Sequence, residues 1–494
     1  MSDLLKRLRA ALACRYVVER QLGRDGVAVV HLAEHARVRW LGLVCAAALV
    51  CASCDAGSSR DAVTETGLPT YADKIASIVH ANCASCHRPG EAGPFPLLTY
   101  EDVSQRAQRI KEVTGSRYMP PWPADPNYTR FRDEKILTED EIGLIGAWVD
   151  AGAPLGDPTE LPPPPEFPEA SQLGEPDLIL EMPEPFIIPG DRTDRFTIVR
   201  VPFELPSDTF IRVVEFVPGN RSLVHHMNGH LITYEDGKKS NLREGAVFVE
   251  DANHNQDKLE ELNLLNDDGS FAPLYLNLVN YLPGVQHTPY PEGVGYYFPL
   301  RKQNILLVND IHYGPSTVDT FDVSRFNLFF GPAPQRRVSE VLLGTHGVAP
   351  VQPELTIPSD SVKEFRIEFQ VPIDISVLTV NPHMHLLGKE FKAYAVTRMY
   401  ETIPLIRINQ WDFRWQYFYT FPKMVKIPAG STIIVEAVYD NTSNNPNNPF
   451  DPPRLVSDHE GSMKSTDEML QLIISWTAYQ PGDENISLEN VRLD

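Results

Sequence analysis

The run "STIIVEAVYD" at residues 431–440 shows the pattern that decides the fold of most of this chain. It is rich in β-branched residues, which favour the half-buried, pleated surface of a strand, and an Asn-rich turn follows it. Similar runs, separated by Pro, Gly, Asn and Asp, recur from about residue 175 onward, a spacing typical of antiparallel β-sandwiches. They are FTIVRVPF (196–203), FIRVVEFV (210–217), NILLVNDIHY (304–313), FRIEFQVP (365–372) and LQLIISWTAY (470–479).

The strand-rich part is too long for a single sandwich, which takes roughly 100 residues. We therefore predict two consecutive all-β antiparallel sandwich domains of jelly-roll-like type, at residues 175–350 and 351–494. The break is placed within "THGVAPVQPEL" (345–355), where Gly and Pro interrupt the strand pattern.

Residues 70–156 have a different, helical pattern. The stretch "YADKIASIVHANC" (71–83) carries its apolar residues at helical spacing. The stretch "LTEDEIGLIGAWVDAG" (137–152) begins with a Thr138/Glu141 capping box and ends in glycine. The Pro-rich segment 157–174 is expected to act as a semi-rigid linker. The predicted fold is multidomain: a small all-α domain followed by the two all-β sandwiches.

An apolar run, "RVRWLGLVCAAALVCASCDAG" (37–57), precedes the helical part. Two arginines are followed by about 14 apolar residues, too few to span a bilayer and typical of a signal-peptide core. The run resembles a bacterial lipoprotein cleavage site, with Cys51 as a departure from its usual leucine. We expect segment 37–54 to direct export to the periplasm or the cell surface, with a lipid anchor at Cys54; ordinary cleavage is the alternative.

The first 36 residues contain a stretch, 15–35, that resembles the opening strands of bacterial serine/threonine kinases. Asp25 and Ala28 replace two glycines of that loop, and none of the catalytic residues of a kinase follows. We interpret 1–36 as a kinase-like remnant or a misplaced start.

The charge and the cysteines limit the partners and the chemistry. A net charge of −22 argues against nucleic acid as a partner, because phosphate binding needs a basic surface. Membrane contact is expected only through the lipid anchor. None of the six cysteines lies beyond Cys86, so the strand-rich part contains no internal disulfide.

The sequence Cys83-Ala-Ser-Cys86-His87 has the spacing for covalent attachment of one haem c. The two thiols can each bond a porphyrin vinyl group, and His87 then lies under the iron as its proximal ligand. Met119, in "SRYMPPW", is the predicted sixth ligand, because the following prolines stiffen its loop. That loop resembles those of small class I cytochromes c, so residues 70–156 are predicted to form a cytochrome c domain. His80 is the weaker alternative ligand.

Three histidine motifs occur in the strand-rich part: "LVHHMNGH" (223–230), "NDIHYGP" (309–315) and "NPHMHLLGK" (381–389). His383 and His385, two apart on a strand, share one face. Adjacent His225 and His226 can reach one metal only at a strand end or a β-bulge. His312 then completes a three-nitrogen site, for which His230 is an alternative ligand.

A methionine follows in "KSTDEMLQL" (464–472), and the thioether of Met469 joins His383 and His385 in a second predicted site. A soft, neutral sulfur donor favours Cu(I) over zinc or iron, and neither site contains a cysteine or a predicted carboxylate ligand. Met463 is the alternative sulfur donor. Four other histidines are interpreted as surface or hydrogen-bonding residues: His254, His287, His346 and His459. Trp411 and Trp415 are interpreted as sandwich core, with an aromatic substrate wall as the alternative.

In order, the motifs HHM, HYG, HxHxLGK and DEM resemble those of the copper type II, ascorbate-dependent monooxygenases, which include peptidylglycine α-hydroxylating and dopamine β-monooxygenases. The segment "PEGVGYYF" (291–298) is similar to the family's segment before its third histidine. The resemblance implies one copper in each sandwich. It assigns an electron-transfer copper to His225, His226 and His312, and the copper that activates O₂ and hydroxylates a C–H bond to His383, His385 and Met469.

Departures from the family concern the substrate. Asn381 replaces an arginine that helps to hold a peptide carboxylate, and Gln471 and Ile473 replace the polar residues after the DEM methionine. A C-terminal-glycine peptide is therefore disfavoured, and the expected substrates are O₂ and an unidentified small organic molecule.

We expect the haem to pass electrons to the first copper, with a periplasmic donor or ascorbate as external reductant. The alternative is a non-catalytic, copper-binding electron-transfer cytochrome.

Overall fold

The computed structural model describes residues 67–167, 171–250, 260–285, 288–458 and 465–493. The kinase-like segment 1–36 and the signal segment 37–54 with Cys54 lie outside these residues. Four side chains considered above also lie outside them: His254, His287, His459 and Met463.

No helix among the described residues has the length and apolarity needed to cross a membrane.

A small helical unit occupies the start of the described chain. Its elements are a π-helical turn Tyr71–Ile75, α1 Ala76–Asn82, α2 Tyr100–Ser104, α3 Ala107–Gly115 and α4 Glu139–Asp150. The predicted capping box is present, with Thr138 N donating to Glu141 at 2.8 Å and Glu141 N donating to the Thr138 hydroxyl. Fully buried Val79 and Trp148 belong to one apolar core that joins the two ends of this unit.

The first sandwich lies within residues 178–331. Its strands are β1 Leu178–Glu181, β2 Phe186–Ile188, β3 Arg195–Glu204, β4 Thr209–Val217, β5 Val224–Tyr234, β6 Phe248–Glu250, β7 Leu274–Tyr281, β8 Val294–Gly295, β9 Phe298–Leu300, β10 Gln303–Tyr313, β11 Thr320–Asp322 and β12 Arg325–Gly331. They form a four-stranded sheet, β1-β12-β4-β9, and a five-stranded sheet, β6-β3-β10-β5-β7. Alternating side chains of both sheets form the core between them.

The second sandwich follows. Between the two lies β13 Arg336–Arg337, which pairs in parallel with β8. The strands of the second sandwich are β14 Ser339–Gly344, β15 Val351–Gln352, β16 Thr356–Ile357, β17 Ser361–Gln370, β18 Ile375–Met384, β19 Gly388–Val396, β20 Thr402–Ile408, β21 Tyr419–Ile427, β22 Thr432–Asn441, β23 Val456–Ser457 and β24 Leu470–Ala478, with a 3-10 turn at Asp483–Asn485. A four-stranded sheet, β14-β24-β18-β21, packs on a five-stranded sheet, β15-β17-β22-β19-β20. The prediction of two antiparallel sandwiches agrees with this architecture.

The boundary between the sandwiches lies earlier than the predicted break at residue 350. Strand β12 still belongs to the first sandwich, whereas β14 already pairs with β24 of the second. The chain therefore changes sandwich between residues 331 and 339. The Gly- and Pro-containing stretch 345–355 instead lies inside the second sandwich, where a turn closed by Gly344 N donating to Ala349 O at 2.8 Å leads into β15.

The helical unit is docked on both sandwiches through residues 120–135, which we call the docking segment. Ala124 forms a β-bridge with Ile408, and the side chain of Phe131 is only 4% exposed within the core of the second sandwich. Arg132 donates to the backbone oxygens of Thr288 and Leu488, at 2.7 and 2.9 Å. The helical unit is thus fixed by this segment and is not held by the Pro-rich linker alone.

Candidate metal centres

His383 and His385 lie at the end of β18, a central strand of the four-stranded sheet, and form what we call the second cluster together with Met469. Because the two positions share a strand face, their Nε2 atoms meet at 3.1 Å. Both imidazoles are buried, with 6% and 1% of their surface exposed. Two nitrogens that each lie about 2.0–2.1 Å from one ion are themselves roughly 3 Å apart. The spacing therefore fits a shared metal.

Hydrogen-bond partners fix the tautomer of each ring. His385 Nδ1 donates to Asp467 O at 2.7 Å, since a carbonyl can only accept. His383 Nδ1 contacts Gln416 Oε1, and the Gln416 amide is oriented by its bond to Phe413 O at 2.8 Å. With both protons on Nδ1, the two Nε2 lone pairs face each other, an arrangement that a bound cation stabilises.

Met469 immediately precedes β24, the strand that pairs with β18. The register His383↔Gln471 and Met384↔Leu470 places Met469 next in line, opposite His385. Its side chain is 2% exposed. The Glu468 carboxyl accepts the backbone N–H groups of His385 and Leu387 at 2.9 and 2.6 Å and so ties the two segments together.

Glu468 itself is fully buried. Burial raises the pKa of this carboxyl to about 8, against the opposing effect of the backbone N–H groups that it accepts. Its contacts with the cluster are to backbone N–H groups of the histidine strand.

His225, His226 and His312 form what we call the first cluster, on the central strands β5 and β10 of the five-stranded sheet. His312 pairs with His226, and Tyr313 pairs with Val224, so His225 is the extra residue of a β-bulge. The bulge expected from the adjacent histidines is therefore present. The ring of His312 lies 5.0 Å from the rings of both His225 and His226.

Two carboxylates that the sequence analysis did not include contact this cluster. Asp194 Oδ1 lies 2.8 Å from His312 Nε2, and Asp310 Oδ2 lies 3.2 Å from His226 Nε2. Ligand atoms of Asp194, His225 and His312 all lie within 4.8 Å of one another. The sequence predicted no carboxylate ligand at this site, whereas the pairing of β3 with β10 brings Asp194, the residue before β3, beside His312.

The position of Asp310 could have been found in the sequence, since it lies two residues before His312 and shares its strand face. The position of Asp194 depends on the pairing of β3 with β10, which no local motif reveals.

His225 is held against Gly314, the glycine of the HYG motif. A Cβ at residue 314 would lie 2.5 Å from Cε1 and Nε2 of the ring, so any larger side chain displaces His225. His225 retains exposed surface, but the atoms packed around it, and then the neighbouring imidazoles, lower the pKa of His225 to about 4. The imidazole is neutral at pH 7 and can act as a ligand.

The haem motif follows α1 directly. His87 N donates to Cys83 O at 2.9 Å, which places both residues in one tight turn. His87 Nδ1 donates to Phe95 O at 3.1 Å, leaving Nε2 available for an iron. A Cβ at Gly93 would lie 2.6 Å from Cys86 O and 2.9 Å from His87 Nδ1, so the loop closes around His87 only with glycine there. This donor set fits a covalently attached haem.

The predicted sixth ligand, Met119, lies in the turn after α3. Its backbone N–H donates to Val113 O at 3.0 Å, and its side chain is half-buried. The alternative, His80, contacts Leu98 O through Nε2 at 3.1 Å and is used by the helical unit itself.

Other candidates have structural roles. His230 Nδ1 accepts from Asn277 N at 3.2 Å. His230 pairs with Leu307, and at the usual rise of a strand it lies about 13 Å along β5 from His226. This position rules it out as a ligand of the first cluster. His346 is exposed. The interpretation of Trp411 and Trp415 as core residues is confirmed, since both pack in the second sandwich.

Two of the three residues that depart from the family motifs, Asn381 and Gln471, make hydrogen bonds to the backbone. Asn381 is buried and donates to Tyr417 O at 2.9 Å, while Gln471 donates to Thr345 O at 2.8 Å. Both amides thus hold neighbouring backbone segments in place.

A crevice of about 830 Å³ opens where the helical unit and both sandwiches meet. Its walls include Arg132, Tyr281, Tyr296 and Glu340. None of the ten predicted ligand side chains lines it within the described residues, so the crevice is separate from both histidine clusters, but its wall includes Ser85, which lies between the two cysteines of the haem motif.

Comparisons with known proteins are informative for one part of the chain. No curated protein matches it. Three solved structures are similar to it at low scores: PNGF-II (11% identity, 61% of this chain and 66% of that chain, TM-score 0.25), infectious bursal disease virus Gx strain (9%, 66% and 77%, 0.17) and the infectious bursal disease virus VP2 subviral particle (9%, 67% and 88%, 0.14). The alignment spans just under two thirds of the PNGF-II chain, and these TM-scores are too low to infer a shared fold.

The informative match is to a protein family. Residues 360–448 cover strands β17 to β22 and include His383 and His385. This part of the chain matches the family model of the C-terminal domain of copper type II ascorbate-dependent monooxygenases.

Proposed function

We propose that this protein is an exported, copper-dependent monooxygenase that hydroxylates a C–H bond of a small organic substrate with O₂. The observation that carries the proposal is the pair of buried Nε2 atoms 3.1 Å apart, with their lone pairs facing one another, inside the segment that matches the copper monooxygenase domain. Copper cycling between Cu(II) and Cu(I) would supply the one-electron chemistry and the reduced metal that O₂ requires.

The ligands proposed for the catalytic copper are His383, His385 and Met469. Asp467 O and Gln416 orient the two imidazoles, while Glu468 holds the methionine segment against the histidine strand. Trp411 donates to His385 O at 3.2 Å, and the ring of Phe413 lies 5.6 Å from that of His385. These aromatic groups limit the access of water to the imidazoles.

The ligands proposed for the second, electron-transfer copper are His225, His226 and His312, supported by the bulge and by the contacts of Asp194 and Asp310. The carboxylates orient the imidazoles and favour the higher charge of Cu(II).

The proposed electron source is a haem c bonded to Cys83 and Cys86, with His87 and Met119 as axial ligands. The Cys-x-x-Cys-His spacing and the His87–Phe95 hydrogen bond support it. A haem would supply electrons one at a time, with ascorbate or a periplasmic electron donor as external reductant. Export, and a lipid anchor at Cys54, are proposed from the sequence of segment 37–57.

Oxygen incorporation tests this function. The copper-loaded, reduced protein is incubated with ¹⁸O₂ and a panel of small organic substrates, and hydroxylated products are analysed by mass spectrometry. We expect one ¹⁸O atom in a product, and loss of that product in the His383→Ala/His385→Ala variant. Surface His346→Ala is the matched control and should retain activity. Full copper loading with no labelled product from any substrate would favour the non-catalytic electron-transfer alternative.

A further inference from the structure

The docking segment begins directly after Met119, so the predicted sixth ligand of the haem lies at the point where the helical unit enters the second sandwich. Asp125 N donates to Arg407 O at 2.8 Å, and the Arg407 guanidinium pairs with the Asp125 carboxylate at 2.7 Å. The ring of Phe131 packs 5.1 Å from that of Tyr419. These contacts make the junction after Met119 a fixed interface.

The residues around Met119 contact segment 414–417 of the second sandwich. Arg414 donates to the Tyr118 hydroxyl at 3.0 Å. Tyr417 donates its hydroxyl proton to Pro121 O at 3.1 Å, and its ring stacks on Trp122 with centroids 5.6 Å apart. A single proline separates Pro121 from Met119, so only a few covalent bonds lie between the methionine and the carbonyl that Tyr417 contacts.

The other side of the same segment holds the second cluster. Gln416, the neighbour of Tyr417, contacts His383 Nδ1 through its side-chain oxygen. Asn381 donates to Tyr417 O at 2.9 Å and so fixes the segment against the histidine strand. A continuous path therefore runs from Met119 through Pro121, Tyr417 and Gln416 to His383, with two hydrogen-bonded contacts along it.

The contacts toward the first cluster are less direct among the described residues. Glu91 pairs with Arg221 at 2.9 Å, in the turn before β5. A second route begins where Gly284 lies against Cys86 Sγ. From Gly284 the path follows the backbone to Tyr281, and only there does a strand pair, Tyr281 with Met227, connect it to β5. Both routes pass through several residues of backbone before they reach a histidine.

We propose that Pro121, Tyr417 and Gln416 form a direct electron path from a haem bound at Met119 to copper bound at the second cluster, a path that does not pass through the first cluster. This inference rests on the proposed function, and it differs from the expected order in which the first copper receives the electron. In this step one electron would pass from ferrous haem, which would become ferric, to Cu(II), which would become Cu(I). No bond breaks and no proton moves; a one-electron reductant such as dithionite then restores the ferrous haem. Tyr417 acts as a positioning residue.

Anaerobic stopped-flow spectroscopy of the full-length protein tests the route. Ferric, Cu(II)-loaded protein is mixed with one electron equivalent of dithionite per chain, and the ferrous haem band is followed as it rises and then decays. We expect the decay to persist in His225→Ala/His312→Ala, to disappear in His383→Ala/His385→Ala, and to slow severalfold in Tyr417→Phe.

Tyr419→Phe is the matched control. Tyr419 belongs to the same buried aromatic group, but its hydroxyl makes no hydrogen bond within the described part of the chain. The decay rate of the ferrous haem band in Tyr419→Phe should equal that of the unmodified protein. Haem and copper content, measured for each variant before mixing, show whether it has folded and loaded.

The outcomes separate the two proposals. A decay that disappears in His225→Ala/His312→Ala would overturn the direct route and leave the monooxygenase proposal intact. Equal decay in Tyr417→Phe and the unmodified protein would remove Tyr417 from the route. A chain that binds neither haem at Cys83 and Cys86 nor copper would overturn both proposals.

Discussion

The two histidine clusters place the same side chain in contrasting environments. In the first cluster the histidines lie at a bulge, partly open to solvent, and His226 and His312 contact the carboxylates of Asp310 and Asp194. In the second cluster both imidazoles are buried, and their Nδ1 atoms contact neutral groups, Gln416 and a backbone carbonyl. An anionic environment favours Cu(II), whereas a neutral one with a sulfur donor favours Cu(I).

This contrast suggests different tasks. We expect copper at the first cluster to have the lower reduction potential and copper at the second cluster to be the better electron acceptor, which would keep the second site in the Cu(I) form that binds O₂. The contrast also predicts that each cluster can be disabled without the other, since they lie in separate sandwiches with separate cores.

The largest expected effect is the loss of one entire site. His383→Ala/His385→Ala removes both nitrogens of the second cluster, so copper per chain should fall from two to one after dialysis, as measured by elemental analysis. The exposed His346→Ala variant should retain two. Two copper ions in the double variant would show that the pair is not a copper site.

A steric change should disable the first cluster alone. In Gly314→Ala the new methyl group would overlap the His225 ring at 2.5 Å, so the ring must move away from His312. We expect one copper per chain, with the Cu(II) electron paramagnetic resonance signal of the first site lost. Gly143→Ala is the control, because a Cβ there meets nothing within 4 Å. A Gly314→Ala protein with both signals unchanged would contradict this position for His225.

A smaller effect is expected when an orienting group is removed. Gln416→Leu removes the oxygen that contacts His383 Nδ1, and loss of such a partner typically weakens metal affinity by roughly 10–100-fold. Competition with a Cu(I) chelator measures this change. Gln410→Leu, an exposed glutamine in the same loop, should leave the affinity unchanged. Equal affinities in the two variants would argue against tautomer control by Gln416.

The smallest change in copper binding is expected when a carboxylate of the first cluster loses its charge. Asp194→Asn retains the shape but removes the charge beside His312, so Cu(II) affinity should fall by about 10-fold and the reduction potential of this site should rise. Asp236→Asn, on the exposed surface, is the control for net charge. A lower potential in Asp194→Asn would contradict the electrostatic contrast between the clusters.

Much of this arrangement could be predicted from local sequence. Alternating, β-branched runs indicate sandwiches because side-chain burial on a sheet has a period of two. The adjacent His225 and His226 indicate a bulge, because a regular strand would point them to opposite faces. The Thr138/Glu141 pair marks the start of α4 because both side chains cap free backbone N–H groups.

Other features depend on contacts between distant parts of the chain. Asp194 joins the first cluster only through the register of β3 against β10, and Gln416 meets His383 only because a loop folds back over β18. The docking segment has no regular periodicity, and its burial depends on Ile408 and Tyr419, far away in the sequence. The boundary between the sandwiches was misplaced because a tight turn within one domain has the same Gly and Pro content as a linker.

X-ray absorption at the copper edge tests the central claim, that His383, His385 and Met469 bind one copper ion. The spectrum is recorded for the Cu(I) form of His225→Ala/His312→Ala, in which only the second cluster can bind. The account predicts two nitrogen neighbours and one sulfur neighbour, with the sulfur contribution absent when Met469→Leu is added and retained when Met424→Leu is added instead. A nitrogen-only shell, or a sulfur contribution that persists in Met469→Leu, would contradict it.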